Sequence, residues 1–423
     1  MLSILTFVTE CFLSAVIKKA GIDPVQNTVS LLFILVSSVA YIIDVKRSSV
    51  LRKYEFGLTL GYVLRVFFLL FDRYGQSIYR LPNSGADTEW FYNMAAAQAT
   101  GASSHRSGDF IGLFRMVFSF VGTNRLFGQF IVVLFSIAGL TAITFAIDKT
   151  RISVVSKVRA ITLLCSLPNF AILSSVFLRE SIVMMFVAVS FLFFFNYYLG
   201  GSFVNLIICF ASIASGMIFH AGVVGLMIGY LIVLFLHRKG TEVNSLSLQN
   251  TVLTGLFGFS MLVLYVRFRV VFFTKLLSIY DLSGIANTST AGGSSYAAYV
   301  GNSNSIANII IYTVPRCVYF LFSPFPWQFR GLPDIIAFCF SGLYYLYVIA
   351  LSLKYIIHSA NKNRVFVINL LIILFCAVFV FAWGVSSTGT AARHRDKLIP
   401  IFAVLHAFCS VPKKQPYYSI QQQ

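Results

Sequence analysis

Charged residues are scarce in this chain, and acidic residues are the scarcest. Only 11% of its 423 residues are Asp, Glu, Lys or Arg, less than half of the roughly 25% that is usual in soluble domains. Hydrophobic residues make up 58% of the chain, and its mean hydropathy is +0.83. Because the exterior of a soluble protein must meet water, a soluble globule cannot hide so much apolar surface. The sequence therefore predicts an integral membrane protein.

Several motifs with a known chemistry are missing as well. The seven cysteines stand singly, without a CxxC pair, which excludes a disulfide framework or a cysteine-ligated metal site. The chain has neither a GxxxxGK[ST] phosphate loop nor an HExxH motif, which argues against ATP-driven transport and zinc hydrolysis. We expect no cofactor, although a divalent cation held by Asp87 or Glu89 stays open.

Long apolar runs predict an all-α, polytopic membrane protein with about 12 spans in a single domain, 1–423. The predicted spans are 2–17, 29–45, 55–71, 126–147, 160–176, 181–199, 204–219, 221–236, 251–267, 335–353, 365–384 and 398–411. The first is interpreted as a retained membrane segment, because it lacks the basic start and cleavage site of a signal peptide. Segment 306–323 contains Pro315 and Arg316 and is expected to be interfacial or re-entrant.

The excess of positive charge predicts the orientation of the chain. Lys and Arg number 32 against 14 Asp and Glu, a net charge of +18. Basic residues retained in cytoplasmic loops explain this excess in a membrane protein without a nucleic-acid partner. With twelve spans, the basic clusters near 46–53, 149–159, 237–239, 354–364 and 413–414 all lie on one side, and both termini are cytoplasmic.

Two long connections are then predicted at the outer face. The first, 72–109, is an outer loop that contains an acidic and aromatic motif. The second, 268–306, includes a stretch rich in Gly, Ser, Asn and Thr over 284–305. Such residues bury too little apolar area to order themselves, so a mobile outer loop is expected there.

The outer loop 72–109 carries the first candidate site. Asp87 and Glu89 lie two residues apart beside Trp90, Phe91 and Tyr92. Aromatic faces stack on sugar rings, and carboxylates bind hydroxyls or move protons, so the motif is typical of a carbohydrate site. The alternative is a solvated start of a helix, where Asp87 favours the first turn.

The second candidate is Arg179 with Glu180, between two apolar runs. Ionisable residues at membrane depth are costly and usually functional. The planar guanidinium of Arg179 suits a pyrophosphate, with Glu180 orienting it. Alternatively, Arg179 anchors the chain at the interface by reaching the lipid headgroups.

The third candidate is His220, the polar side chain in an apolar turn between two predicted spans. A neutral imidazole at the outer face can act as a base or bind a hydroxyl. The alternative is a histidine of the core whose hydrogen bonds are made within the protein.

The fourth candidate precedes the last predicted span. Arg393, His394, Arg395 and Lys397 are basic residues on the outer face, against the bias that retains positive charge inside. A purely topological role is therefore disfavoured. We expect Arg393 and Arg395 to bind a phosphate or an anionic sugar.

Taken in order, these motifs resemble those of bacterial polysaccharide polymerases of the Wzy/EpsG-like class. The resemblance is carried by Asp87 to Tyr92, by Leu178-Arg179, by His220 to Val223 and by Gly389 to Arg395. It covers roughly 85–236 and 320–411. The family more often has Arg-Gln where this chain has Arg179-Glu180.

The resemblance implies a GT-C-like helical bundle in the bacterial cytoplasmic (inner) membrane. Its substrate is an oligosaccharide repeat unit on polyprenyl pyrophosphate, and the reaction joins such units at the outer face, with a chain-length regulator as a further partner. Two alternatives stay open, a GT-C glycosyltransferase that uses a polyprenyl-phosphate sugar and a flippase for lipid-linked oligosaccharide.

The reaction needs a base for the attacking hydroxyl and cations for the pyrophosphate. The candidates for the base are Asp87, Glu89 and His220. The candidates for substrate and pyrophosphate binding are Arg179, Arg393, Arg395, Trp90 and Tyr92.

Overall fold

A computed structural model of the chain describes residue 8 and residues 26–103, 108–150, 152–238, 244–267, 295–296, 306–359 and 361–410. Helices are the regular elements of these ranges, and the two β-bridges there are isolated pairs. The prediction of an all-α protein is confirmed. The predicted span 2–17 and nearly all of the predicted loop 268–306 lie outside the described residues.

Seventeen α-helices follow one another along the described ranges. Their bounds are α1 Gln26–Arg47, α2 Glu55–Tyr74, α3 Ala86–Ala99, α4 Asp109–Val121, α5 Arg125–Asp148, α6 Val154–Ser166, α7 Pro168–Leu173, α8 Glu180–Tyr198, α9 Phe203–Phe219, α10 Val224–Leu236, α11 Leu248–Arg267, α12 Ile306–Phe322, α13 Leu332–Ala337, α14 Leu343–His358, α15 Asn361–Trp383, α16 Thr388–Arg395 and α17 Ile399–Cys409. A π-helical turn, Phe338–Gly342, joins α13 to α14, and a 3₁₀ turn, Asp396–Leu398, joins α16 to α17.

Six helical stretches in the described ranges are long and apolar enough to cross a membrane. They are Asn27–Arg47, Leu51–Tyr74, Arg125–Asp148, Glu180–Tyr198, Leu332–His358 and Asn363–Trp383. Shorter apolar helices occupy Phe203–Phe219, Ala221–Leu236, Leu248–Val263 and Ile310–Phe322. The chain is thus a helical protein of the membrane type, and the count of twelve spans stays a prediction.

Two predicted spans have a different form in the structure. Segment 160–176 is divided between α6 and α7, because Leu167 is extended (ψ 113°) before Pro168, which starts α7. Segment 398–411 is α17, whose 11 residues rise only about 16 Å. All residues of α17 except Phe408 are buried, and it packs against α5, α6, α8 and α14. It is a core helix.

The connection 72–109, predicted as an outer loop, contains a helix. α3 occupies its centre, and α4 begins at Asp109. The two helices pack on each other. In α4, Phe110, Phe114 and Phe118 are buried, and their spacing of four residues places them on one face. The acidic motif therefore lies at the start of a helix that is held on the bundle.

The basic connections meet at one end of the bundle. The carboxylate of Asp148, at the end of α5, is 3.2 Å from Nζ of Lys53, and its backbone carbonyl accepts a hydrogen bond from Lys157 (2.6 Å). α5 and α8 run in parallel, since Gly139 meets Met184 while Gly128, earlier in α5, meets Phe177 just before α8. The last turn of α8 is therefore at the same end as Asp148.

Ring contacts show that the basic connections after α10 and after α14 lie at the same end of the bundle as Asp148. Tyr198, in the last turn of α8, stacks on His237 with centroids 4.0 Å apart and contacts Phe366 of α15. Phe366 packs on Phe408, which packs on Tyr355 near the end of α14. We call this the basic end of the bundle. The end where α8 begins is called the site end.

α10 and α15 lie so close together at Gly229 that only a residue without a side chain fits there. A Cβ on Gly229 would lie 2.7 Å from Cα of Ile373. Gly229→Ala is therefore expected to force the helices apart and to destabilise the protein by about 1–3 kcal/mol. The measurement is the melting temperature of the purified protein in detergent. Gly255→Ala in α11 is the matched control, because its Cβ meets no atom within 4 Å, and its melting temperature should not fall.

Candidate functional site

The four sequence motifs meet at the site end of the bundle, around one short segment. This segment, Thr388–Leu398, consists of α16 and the 3₁₀ turn before the core helix α17, and we call it the polar segment. It contacts Asp87 through Arg393, Glu180 through Lys397 and His220 through His394. The motifs are far apart in the chain, and the fold collects them at one place.

Arg393 contacts the acidic motif directly. Its Nη1 is 2.5 Å from Oδ2 of Asp87, in an ion pair whose side chains are 20% and 58% exposed, respectively. Asp87 lies in the first turn of α3, where Thr88 Oγ1 accepts a hydrogen bond from Gly85 N at 3.1 Å. Partial exposure of both partners keeps the guanidinium accessible to a ligand.

Lys397 forms an ion pair with the second motif in a buried setting. Its Nζ is 3.5 Å from Oε1 of Glu180, and the two side chains are only 1% and 6% exposed. Burial, opposed by Glu180 but reinforced by the positive charges of Arg179 and Arg393, lowers the pKa of Lys397 to about 7. Near neutral pH this amine can therefore both hold and release a proton.

His220 and His394 form a hydrogen-bonded pair. Nδ1 of His220 accepts a hydrogen bond from the backbone N–H of Gly222 (3.2 Å), so the proton of the neutral ring is on Nε2. That N–H donates to Nε2 of His394, 3.0 Å away. The proton of His394 is consequently on Nδ1, a buried atom without a hydrogen-bond partner in the described part of the chain.

The charge state of His394 follows from its surroundings. Burial first, and then the positive charge of Lys397, lowers the pKa of His394 well below its ordinary value. The ring is therefore neutral at pH 7 and offers Nδ1–H as a donor. Both ring nitrogens of His220 already take part in hydrogen bonds.

Arg179 lies at the edge of the same cluster. It is the residue just before α8 and is half-buried. Its charge contributes to lowering the pKa of both His394 and Lys397. Arg179, Arg393 and Lys397 thus bring three cationic groups close together, with Glu180 and Asp87 as the nearby acids.

Arg395 has a different environment from Arg393. It is fully buried, and its Nε donates to Oγ of Ser341 (2.9 Å). Its Nη1 and Nη2 donate to the backbone carbonyls of Leu321, Ser323 and Ala337. Because the protein itself occupies these donors, we assign Arg395 a structural role, in place of the phosphate-binding role predicted from the sequence.

Asp396, the acid next to Arg395, is also assigned a structural role, because its hydrogen bonds are made within the protein. Asp396 accepts hydrogen bonds from Asn169 (2.8 Å), Ser341 (3.1 Å) and Tyr345 (2.6 Å). Burial raises the pKa of Asp396, and Arg395 opposes this effect. The hydrogen bonds of Arg395 and Asp396 together connect the polar segment to α7, α12, α14 and the π-helical turn.

Glu89 and Tyr92 face a neighbouring group of residues. Oε2 of Glu89 is 2.5 Å from Nη1 of Arg125, whose guanidinium lies over the ring of Tyr92 at 5.4 Å. The Tyr92 hydroxyl donates to the backbone carbonyl of Thr123 (2.6 Å). Trp90 is 51% exposed. The predicted roles of Glu89, Trp90 and Tyr92 in catalysis and binding stay predictions.

A small pocket opens within this cluster, with room for little more than one water-sized group. Phe170, Leu173 and Met184 form its apolar wall. Its polar wall includes Glu180, Ser181, Arg393 and Lys397. A recess of this size suits a single small polar group such as a hydroxyl.

The structure adds residues that the sequence did not single out. Lys397 follows Arg393 by four residues, a spacing that places both on one side of a helical turn. This spacing was the feature of the sequence that could have indicated Lys397 as a site residue. The pairing of His394 with His220 had no sign in the sequence. In the described ranges, no group of three or more His, Cys, Asp or Glu side chains is arranged to hold a metal ion.

Comparisons of this chain with protein-family models, with curated proteins and with solved structures find no match. Its function must therefore be inferred from its own residues.

Proposed function

We propose that this chain is a glycosyltransferase-type polysaccharide polymerase. It joins oligosaccharide repeat units carried on polyprenyl pyrophosphate into a surface polysaccharide, at the outer face of a bacterial cytoplasmic membrane. The observation that supports this proposal most directly is that Asp87, Glu180 and His220 each contact a basic residue of the polar segment at the site end. The basic connections lie at the opposite end, as expected if the site end faces outward.

In the proposed reaction, a hydroxyl of one repeat unit attacks the anomeric carbon of the growing chain. The bond from that carbon to the pyrophosphate breaks, and the lipid pyrophosphate leaves with the electron pair. Arg179 and Arg393 stabilise the negative charge that develops on it, because guanidinium groups bind phosphate oxygens through two parallel N–H donors. His394 Nδ1–H supplies a further, neutral donor.

The position of the polar cluster favours polymerisation over transport. Carriers commonly bind their substrate near the middle of the bilayer, between inverted repeats. The cluster described here lies where α8 and α10 begin and α15 ends, at one end of the bundle. An enzyme that acts on a lipid headgroup needs its charged groups at this depth.

The test is to reconstitute the purified protein in lipid nanodiscs with a radiolabelled polyprenyl-pyrophosphate oligosaccharide from its host. A ladder of products that differ by whole repeat units is expected on a gel. A single product, larger by one sugar and formed only with a polyprenyl-phosphate sugar, would instead identify a single-sugar transferase. Normal polysaccharide length in a host without the gene would exclude a polymerase.

A further inference from the structure

The pocket at the site end contains buried polar atoms that lack partners. Oε2 of Glu180, Oγ of Ser181 and Nζ of Lys397 are buried and have no hydrogen-bond partner in the described part of the chain, although Lys397 pairs electrostatically with Glu180. The three residues are no more than 5% exposed, and all of them line the pocket.

Unpartnered polar atoms in such a place indicate a ligand. A buried donor or acceptor without a partner costs about 1–3 kcal/mol, so native proteins leave few of them. Here an ammonium donor, a carboxylate acceptor and a hydroxyl face one pocket. Their complement is a group that both donates and accepts hydrogen bonds, and a sugar hydroxyl does both.

We propose that this pocket receives the attacking hydroxyl of the acceptor sugar and that Glu180 is the base that deprotonates it. This inference rests on the proposed function, since it assigns a further catalytic residue to the same reaction. It differs from the expectation from sequence, in which the bases were Asp87, Glu89 and His220.

The three residues expected from sequence are each engaged elsewhere. Asp87 pairs with Arg393, Glu89 pairs with Arg125, and Nδ1 of His220 accepts from the backbone of Gly222. Glu180 differs because it lines the pocket and because its second oxygen, Oε2, is buried there without a partner, whereas the side chains of Asp87 and Glu89 are 58% and 37% exposed. A carboxylate held by one oxygen and open at the other is positioned for proton transfer.

Proton transfer to Glu180 accompanies formation of the new glycosidic bond. The hydroxyl oxygen forms a bond to the anomeric carbon as its proton moves to Oε2 of Glu180. The bond between the anomeric carbon and the pyrophosphate oxygen breaks, and its electron pair leaves with the lipid pyrophosphate beside Arg179 and Arg393. Glu180 then releases the proton to solvent, while the Lys397 ammonium stays paired with Oε1.

An anion is a poorer occupant of the deep part of this pocket than a hydroxyl. A phosphate oxygen placed against Oε2 of Glu180 would meet a second negative charge, and like charges at such a distance repel each other strongly in a buried site. The more exposed Arg393, at 20%, is the better partner for the pyrophosphate. The site thus separates into an outer position for the leaving group and an inner position for the nucleophile.

The test compares Glu180→Gln with wild-type protein in the nanodisc assay. Gln keeps the size of the side chain but cannot accept the proton, so kcat is expected to fall by about 10²–10⁴-fold. KM for the lipid-linked substrate and binding of undecaprenyl pyrophosphate should remain as in the wild type. Glu55→Gln is the matched control, because Glu55 pairs with Lys46 at the basic end, and its kcat should be unchanged.

A second variant tests the same role of Glu180 if Glu180→Gln does not fold. The double variant Glu180→Gln with Lys397→Met removes both charges of the buried pair, which avoids leaving one charge uncompensated, and it too should bind undecaprenyl pyrophosphate without elongating the glycan. Wild-type kcat in either variant would overturn the role of Glu180 and leave the proposed function standing. A wild-type protein that makes no ladder would instead refute the proposed function, and this inference with it.

Discussion

Arg393→Ala is expected to abolish polymer formation while the protein still accumulates in the membrane. The side chain lines the pocket, and its partner Asp87 is 58% exposed. Water can therefore solvate Asp87 after the substitution, so the cost to folding is small. The loss of a cation that stabilises the leaving pyrophosphate should reduce kcat by at least about 100-fold. The product ladder in nanodiscs measures this loss.

The control for Arg393→Ala is a surface arginine with a similar pair. Arg330 forms an ion pair of 2.9 Å with Asp334, and its side chain is 47% exposed. Arg330→Ala and the basic-end variant Lys46→Ala should leave the ladder intact, whereas Arg179→Ala should remove it. Wild-type polymer from Arg393→Ala would show that this arginine does not bind the leaving group.

Arg395→Ala, two residues further on, is expected to have the opposite effect, a failure of folding. The fully buried guanidinium donates to Ser341 and to three backbone carbonyls. Its loss leaves these acceptors without a donor and the Asp396 carboxylate without its neighbouring positive charge. Removing one partner of a buried charged pair typically costs about 3–5 kcal/mol. The melting temperature in detergent and the yield of monodisperse protein should both fall sharply.

The contrast between the two arginines can be checked in one experiment. Arg393→Ala should give a normal melting temperature and no ladder, whereas Arg395→Ala should give little folded protein. A well-folded, inactive Arg395→Ala protein would contradict the structural role and return Arg395 to the group of substrate ligands. A folded Arg395→Ala protein with wild-type activity would show that Arg395 has neither a structural nor a substrate-binding role.

The sequence allowed the membrane class and the helical fold to be predicted, because scarce charge and long apolar runs depend on composition and local order alone. It also located the motifs that meet at the site end. Their pairing could not be predicted. Arg393 and Asp87 are 306 positions apart, and His220 and His394 are 174 positions apart. Which residues meet over such separations depends on helix packing, which no local pattern records.

The sequence also did not indicate which of the charged residues are buried. Arg393 and Arg395 look alike in the chain, but the turn of α16 directs one to the pocket and the other toward α12 and α14. The division of 160–176, in contrast, was marked by Pro168, whose ring disfavours a helical conformation for the residue before it. The shortness of α17 was also marked, because the apolar run 398–411 ends at Pro412 and is shorter than the roughly 20 residues of a membrane span.

The central position of α17 has a consequence for how the protein is made. α17 fills the space between α5, α6, α8 and α14, and the polar segment immediately precedes it. The polar segment and α17 follow α5, α6, α8 and α14 in the chain, so the helices that surround α17 are made before it. The contacts of Arg393, His394 and Lys397 therefore cannot form until α17 has entered the space between those helices.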